Sequence, residues 1–111
     1  MAAHYVLTNS KDGHMMFNLK AANGQVILTS KRFATKKDVE DGLEKVRMDS
    51  PLDQRYERRV NSKKEPYFIL NDSRSQELGH SEHYSSASAM ENGIESVKKN
   101  GPGATVVDET D

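Results

Sequence analysis

The amino-acid sequence predicts a single α+β domain built from two tandem copies of one unit of about fifty residues. Three observations support this fold class. The chain matches itself in one register along most of its length, each copy holds two β-prone stretches, and each copy continues with apolar residues at helical spacing. The copies span about residues 5–55 and 56–111.

The repeat emerges when the chain is laid against itself at an offset of 51 residues, which places Phe17 on Phe68 and Leu19 on Leu70. Seven further identities follow in the same register: Gln25 and Gln76, Ser30 and Ser81, Glu40 and Glu91, Gly42 and Gly93, Glu44 and Glu95, Val46 and Val97, Pro51 and Pro102. The offset also places Tyr5 on Tyr56, so each unit is predicted to open with a short strand. A third instance of that strand falls near residues 106–107.

An antiparallel hairpin is predicted next, from the β-prone stretches 15–22 and 25–30. Asn23-Gly24 separates them and is the strongest short-range signal for a two-residue turn. Such a turn aligns three pairs: Leu19 with Leu28, Phe17 with Ser30, and Ala21 with Val26. In the second unit the turn falls on Arg74-Ser75, which is weaker turn chemistry, so we expect that hairpin to fray at its tip.

A helix is predicted in each unit because apolar residues and one glycine recur at i, i+3, i+4 and i+7. The positions are Val39, Gly42, Leu43 and Val46 in the first unit, and Met90, Gly93, Ile94 and Val97 in the second. Thr35 and Asp38 form a capping-box pattern, and Ser86 is the matching N-cap. Pro51 and Pro102 lie beyond the predicted helix ends.

The helix glycines are informative because glycine inside a helix costs about 1 kcal/mol relative to alanine. The same place is nevertheless glycine twice, at Gly42 and Gly93, on the apolar side of each helix. We interpret both as packing positions where the helix backbone approaches the sheet and a Cβ atom would clash. A ligand contact is the alternative interpretation.

Composition excludes several classes of protein. The chain is 34% hydrophobic and 30% charged, which is enough for one thin core. It has no cysteine, so disulfides and cysteine-ligated metals are excluded. The N-terminal sequence has no basic segment followed by an apolar one, and no apolar run is long enough to span a bilayer. We therefore expect a cytoplasmic protein without membrane contact.

Two segments, Lys20–Ile27 and Tyr84–Asn100, carry a family resemblance. KAANGQVI in the first and the run YSS to ENGIESVKKN in the second resemble the YegP-like family of small bacterial proteins with no assigned activity, over about residues 5–102. The second hairpin lacks Asn-Gly, and residues 36–38 are Lys-Lys-Asp where the family favours small residues. Neither departure changes the fold that the resemblance implies.

That fold is a pair of β(3)-α-β units with pseudo-twofold symmetry, which share one antiparallel sheet with both helices on one face and exchange their closing strands. Single-unit members are expected to dimerise, and a tandem chain resembles such a dimer fused into one molecule. We therefore expect a monomer. The resemblance implies no catalytic residues.

Motifs for chemistry are scarce. His80 and His83 flank Ser81-Glu82 and could be proposed as metal ligands, but residues three apart on a strand face opposite ways, so a solvated strand end is favoured. Neither a nucleophile elbow nor a phosphate-binding loop is present. The glutamates spaced by four on the helices have polar neighbours and fit a solvated face better than acid–base chemistry. We predict neither cofactor nor metal.

One basic stretch could contact nucleic acid. It contains Arg55, Tyr56, Arg58, Arg59, Lys63 and Lys64. Cations beside an aromatic ring are typical of single-stranded nucleic-acid sites. Consecutive arginines on a strand face opposite ways, however, and charges on an edge strand also prevent aggregation.

Three functions are compatible with these features. The favoured one is a non-enzymatic binding module that engages an unidentified protein or small ligand through its exposed sheet face or a pseudo-symmetric groove. The second is a nucleic-acid-binding accessory protein that uses the basic stretch. The third is an enzyme of unrecognised type, which would need a deep pocket with groups of perturbed pKa.

Overall fold

The computed structural model describes residues 2–110, which form seven strands and two α-helices. The elements are β1 (His4–Asn9), β2 (Met15–Lys20), β3 (Val26–Ser30), α1 (Lys36–Asp49), β4 (Tyr56–Val60), β5 (Pro66–Asn71), β6 (Glu77–His80), α2 (Ala87–Asn100) and β7 (Thr105–Asp108). A turn of 3-10 helix at Asp53–Arg55 precedes β4. No helix within residues 2–110 is long and apolar enough to cross a membrane.

The strands form one sheet in the order β4-β5-β6-β3-β2-β1-β7. Every neighbouring pair is antiparallel except β1 and β7, which are parallel, so the sheet is mixed and the prediction of an antiparallel sheet needs this correction. The chain passes through α2 from β6 to β7 at the far side of the sheet, where β7 runs in the same direction as β1 and opposite to β6. The predicted β-β-β-α-β order occurs twice along the chain, with β4 serving both as the last strand of the first unit and as the first strand of the second.

The two units are interlocked at their closing strands. β7 ends the second unit but pairs with β1 of the first, from His4↔Thr105 to Leu7↔Asp108. At the other edge the chain leaves α1, enters β4 and pairs with β5 of the second unit. The predicted exchange of closing strands is therefore confirmed.

The first hairpin reaches the predicted register by a different route. Its loop has three residues: the amide of Gly24 donates to the carbonyl of Ala21, Gly24 has φ +87°, and Asn23 is not in the left-handed region. A β-bulge after Leu19 offsets the extra loop residue, so that Leu19 still faces Leu28. The predicted two-residue turn and the pairing of Ala21 with Val26 are wrong.

The second hairpin repeats this loop with different chemistry. Ser75 takes the left-handed conformation, with φ 62°, in place of a glycine. The buried carboxylate of Asp72 accepts hydrogen bonds from the amides of Arg74 (2.8 Å) and Gln76 (3.0 Å). The tip is therefore closed by hydrogen bonds and not frayed, because Asp72 supplies the turn chemistry that Arg74-Ser75 lacks.

Both helices pack on one face of the sheet, and each contacts strands of both units: α1 lies on β2 and β6, and α2 on β5 and β3. The predicted N-caps are confirmed, since Thr35 Oγ1 accepts from the amide of Asp38 and Ser86 Oγ from that of Ala89; within residues 2–110 the Asp38 carboxylate does not complete the capping box. The largest fully buried side chains, all in one cluster except Ser50, are Tyr5, Phe17, Phe68, Leu7, Leu19, Leu28, Leu70, Ile94, Val39, Val46, Val97 and Ser50.

Gly42 and Gly93 are packing positions. A Cβ atom at Gly42 would lie 2.8 Å from Phe33 Cε1, and one at Gly93 would lie 2.7 Å from Tyr84 Cζ. The close neighbour is the aromatic ring from the loop that precedes each helix, and not the sheet backbone that the sequence suggested. Each ring stacks on a core phenylalanine in turn, Phe33 on Phe17 and Tyr84 on Phe68.

Candidate binding surfaces

The basic stretch does not form a nucleic-acid platform in this structure. Tyr56 is buried, with its ring edge-on to Phe68 and its hydroxyl donating to the carbonyl of Ser50 at 2.7 Å. The ring therefore cannot stack on a base. Burial also raises the pKa of the Tyr56 hydroxyl well above its usual value. The signal that this tyrosine belongs to the core was its repeat partner, Tyr5, which is buried in the same way.

The arginines of the stretch lie on different faces and are all paired. Arg58 points to the helix side, where it donates to both carboxylate oxygens of Glu91 at 2.6 and 3.0 Å. Arg59 pairs with Glu57 on the opposite face, and Arg55 donates to Asp49 at 3.0 Å. The hydrogen bonds from Arg58 lower the pKa of Glu91. The positive charge of these three residues is therefore neutralised locally.

Lys63 and Lys64 lie in the turn between β4 and β5, where Lys64 has φ 64°. Neither makes an ion pair within residues 2–110. They are separated from Tyr56 by the length of β4. The six predicted nucleic-acid contacts are thus not brought together on one surface.

The two histidines beside Ser81 also diverge. His80 is exposed at the end of β6, with Nδ1 at 3.5 Å from a carboxylate oxygen of Glu77. His83 lies beyond the strand, and its ring meets Tyr67 edge-on with centroids 5.3 Å apart. Across the described part of the chain, no cluster of three metal-ligating side chains occurs.

The helix glutamates have individual partners instead of forming a carboxylate pair. Glu91 is held by Arg58, Glu44 pairs with Arg47 at 3.2 Å, and Glu95 pairs with Lys98 at 3.1 Å. Glu40 is exposed. A general acid near neutral pH needs a raised pKa, whereas hydrogen bonds from arginine lower the pKa of Glu57 and of Glu91.

No helix covers the other face of the sheet, which we call the open face. Its residues are half-buried or exposed along the central row, except Val6, which is buried. This row of paired residues crosses the open face from edge to edge. In order it comprises Glu57, Ile69, His80, Thr29, Asn18, Val6 and Val107. Each lies between neighbours on its strand that point towards the helices, as the alternation of a strand requires. The row draws on both units.

The row across the open face carries little charge. Of the seven residues in the row, only Glu57 and His80 are ionisable. Met16, Val26 and Tyr67 extend the apolar area on neighbouring rows, and all three are half-buried. This distribution is typical of the core of a protein–protein interface.

Two equivalent grooves lie between the loop before each helix and the hairpin of the other unit. The groove of the second unit, of about 550 Å³, is lined by Gln25, Val26, Ile27, Glu82, His83, Tyr84, Ala89 and Asn92. The groove of the first unit, of about 350 Å³, is lined by Lys31, Arg32, Phe33, Ala34, Asp38, Asp41, Gly42, Lys45, Asp72 and Leu78. Equivalent positions differ in charge: Lys31 and Arg32 correspond to Glu82 and His83. The two grooves therefore cannot favour the same ligand.

A family model described as "Domain of unknown function (DUF1508)" matches residues 10–57 and 61–108, two copies at the same offset of 51. UPF0339 protein YegP of Yersinia pestis is 45% identical over 107 residues, which cover 96% of each chain.

The chain belongs to the UPF0339 family.

Solved structures of UPF0339 members have the same fold. The solution NMR structure of YegP from E. coli, a protein described as of unknown function, is 42% identical and superposes with a TM-score of 0.93 over 99% of this chain and 95% of that one. UPF0339 protein SO3888 from Shewanella oneidensis is 41% identical and gives a TM-score of 0.92 over 99% and 93% of the two chains. Membership of UPF0339 establishes a fold and a tandem repeat, and the function is argued from the surfaces of this chain.

Proposed function

We propose that this protein is a non-enzymatic binding module that presents the open face of its sheet to a protein partner. The observation that carries the proposal is the row of seven residues from Glu57 to Val107, which spans both units and is uncovered by any helix. Interfaces between proteins concentrate weakly charged, partly apolar residues at the centre and charges at the rim. The row matches this description in its weakly charged, partly apolar composition, and Glu57 adds a charge at one end.

The ionisable groups support a binding role over catalysis. Where the pKa of a carboxylate departs from its usual value, hydrogen bonds lower it. Asp72 is an example, because its carboxylate accepts hydrogen bonds from the amides of Gln76 and Arg74. Buried Tyr5 and Tyr56 have raised pKa values because they lie in the core. A catalytic acid or base would instead lie in a cleft with its pKa moved towards neutrality.

Nucleic-acid binding through the basic stretch is the less supported alternative, because Tyr56 is buried and three arginines are paired. A titration with a single-stranded oligonucleotide at low salt tests it directly. We expect either that the oligonucleotide does not bind or that its binding is unchanged when Arg55 and Arg58 are replaced with alanine. Salt-sensitive binding that these substitutions abolish would instead favour nucleic acid.

The open face is tested by placing a large cation at its centre. Thr29→Arg adds a long charged side chain beside His80, where Thr29 is half-buried. Met48→Arg is the matched control, because Met48 is 74% exposed on the helix side of the molecule. Both variants are compared by thermal unfolding, so that a loss of fold is not mistaken for a loss of binding.

Partners are captured from an extract of the native cell on the immobilised protein. Each captured partner is then purified and titrated against the unsubstituted protein, T29R and M48R. We expect a genuine partner to bind the unsubstituted protein and M48R equally and T29R at least about tenfold more weakly, because a buried unpaired charge is costly at an interface centre. A partner that binds T29R as tightly as the unsubstituted protein would show that the open face is not the binding surface.

A further inference from the structure

The two edges of the sheet differ in chemistry. β4 forms one edge and carries Glu57, Arg58 and Arg59 in succession. β7 forms the other and carries Val106 and Val107, each 43% exposed. Charged side chains are a common protection of an edge against pairing with another strand. The β4 edge has this protection, whereas the β7 edge has two exposed valines.

The outer edge of β7 has hydrogen-bonding groups to offer. Glu109 donates its amide to the carbonyl of Leu7 at 2.8 Å, which points Glu109 towards β1. The backbone N–H and C=O groups of successive residues in a strand point alternately to its two sides. Counting back from Glu109, those of Val106 and Asp108 therefore point away from β1, towards solvent. The edge is therefore a short template for one more strand.

A groove runs beside this edge on the helix side. It has a volume of about 220 Å³ and is lined by Leu7, Glu40, Leu43, Glu44, Val106 and Asp108. Leucine and valine side chains form its apolar part, and three carboxylates lie around them. An apolar side chain from an added strand could enter the groove next to Val106.

The repeat supplies an internal comparison. At the offset of 51 the position of Leu7 becomes Arg58, and that of Glu40 becomes Glu91. Arg58 donates two hydrogen bonds to Glu91 and one to Asp53, at 3.0 Å. The ion pairs thus cover the helix side of the β4 edge, while the equivalent surface beside β1 and β7 keeps a leucine. Of the two edge strands, β4 is therefore covered by the ion pairs of Arg58 on its helix side, whereas β7 is bordered there by the groove at Leu7.

The charge around the groove selects a basic partner. Asp108 pairs with Lys36, and Glu44 with Arg47. Glu40 and Glu109 are exposed and make no ion pair within residues 2–110. Opposite charges across an interface raise the rate and specificity of association.

We propose that the outer edge of β7 binds an extended segment of a partner protein, in which an apolar residue that enters the groove is flanked by lysine or arginine. Main-chain hydrogen bonds to Val106 and Asp108 supply affinity, as in strand addition generally, and the groove and carboxylates supply selectivity. This surface is distinct from the open face, so either one can fail experimentally without the other.

The probe is an end-blocked peptide of about eight residues with alternating lysine and valine, since strands of this length are typical. Binding is followed on the full chain by amide chemical shifts and by anisotropy of a labelled peptide. We expect shift changes centred on residues 105–109 and on Leu43, with β4 unaffected. A peptide with glutamate in place of lysine should bind at least about tenfold more weakly because it repels Glu40 and Glu109.

Two pairs of variants isolate the contacts. Val106→Pro and Val106→Ala both remove the valine side chain, but only proline removes the outward amide, so we expect V106P to bind about three- to tenfold more weakly than V106A. Glu40→Gln should weaken binding of the lysine peptide about two- to fivefold. Glu82→Gln makes the same change of net charge at a remote site and should leave the binding unchanged.

Four results would overturn the proposal: no binding of the lysine peptide, equal binding of V106P and V106A, equal binding of the glutamate peptide, or shift changes at β4. Sedimentation of the free protein is the remaining measurement. A dimer that V106P dissociates would assign this edge to a second copy of the chain, and would also overturn the assignment to a separate basic partner.

Discussion

Thr29 and His80 hold the same place in the two units and lie directly opposite each other where β3 pairs with β6. The pseudo-twofold axis of the molecule therefore passes between them. On the helix side the equivalent residues Ser50 and Gly101 also meet, because a Cβ atom at Gly101 would lie 2.8 Å from Ser50 Cβ. The axis thus passes through the centre of the open face and, on the helix side, between the C-terminal ends of α1 and α2.

Separated units should not fold alone. β7 of the second unit pairs with β1 of the first, and the tyrosine hydroxyls cross reciprocally, Tyr5 to the carbonyl of Gly101 and Tyr56 to that of Ser50, both at 2.7 Å. We expect a chain cut between residues 51 and 56 to yield two fragments that are unfolded alone by circular dichroism and that recover structure when mixed. Cooperative unfolding of either isolated fragment as a monomer would contradict the interlocked arrangement.

Alanine at the helix glycines should destabilise the fold, and more at Gly42 than at Gly93. The added Cβ at Gly42 meets the ring of buried Phe33, whereas the ring of Tyr84 at Gly93 is only half-buried and has room to move. Overpacking costs about 1–3 kcal/mol, against which alanine regains up to about 1 kcal/mol of helix propensity. We expect a net loss of about 1–2 kcal/mol for Gly42→Ala in urea unfolding. Unchanged or raised stability of G42A would refute the packing account.

Stability should fall at alkaline pH through the two buried tyrosines. Burial raises the pKa of Tyr5 and Tyr56 above the ordinary value of 10.0, so the unfolded chain loses these protons first. Because the native state then binds more protons than the unfolded state, the free energy of unfolding decreases as the pH rises above about 10 and is unaffected by these groups below it.

The measurement compares urea unfolding between pH 8 and 11 for the unsubstituted protein and the double variant Y5F/Y56F. The variant should be less stable at pH 8 by about 0.5–1.5 kcal/mol for each lost hydrogen bond, and its stability should depend less on pH above 10. Identical slopes above pH 10 in the two proteins would show that other groups cause the alkaline loss.

Glycine at position 75 should stabilise the second hairpin. Ser75 has φ 62°, a conformation that costs a residue with a Cβ atom roughly 1–2 kcal/mol and costs glycine almost nothing. Because glycine also has more freedom to lose on folding, we expect Ser75→Gly to raise the free energy of unfolding by up to about 1 kcal/mol. Gly24→Ala at the matching position, with φ +87°, should have the opposite effect. A destabilised S75G would argue against strain at this turn.

Much of the fold could be predicted because the repeat and its periodicities are local patterns. The helices, their caps, the alignment of Leu19 with Leu28 and the opening strand at Tyr56 all follow from residue spacing, and the structure contains them. The hairpin loop was mispredicted because Asn-Gly suits a two-residue turn, while a bulge after Leu19 allows a three-residue loop at the same register.

The surfaces were harder to predict. The sequence alone allows Tyr56 to be a stacking aromatic in a basic stretch, but the fold packs its ring against Phe68 and beneath Lys98 of α2. The row across the open face is also invisible along the chain, because its members come from all seven strands. Only the order and register of those strands bring Asn18, Thr29 and Ile69 into one line.

Residue spacing is enough to specify the two units, their strands and helices, and the helix positions occupied by glycine, because these depend on backbone preferences and on the alternation of apolar residues along one segment. Three features arise only from the packing of the whole chain: β7 pairs in parallel with β1, Arg58 covers the helix side of one edge strand with ion pairs, and Leu7 and Val106 leave an apolar groove at the other edge. Those outcomes depend on contacts between residues about thirty to a hundred positions apart, which a pattern along one segment does not contain.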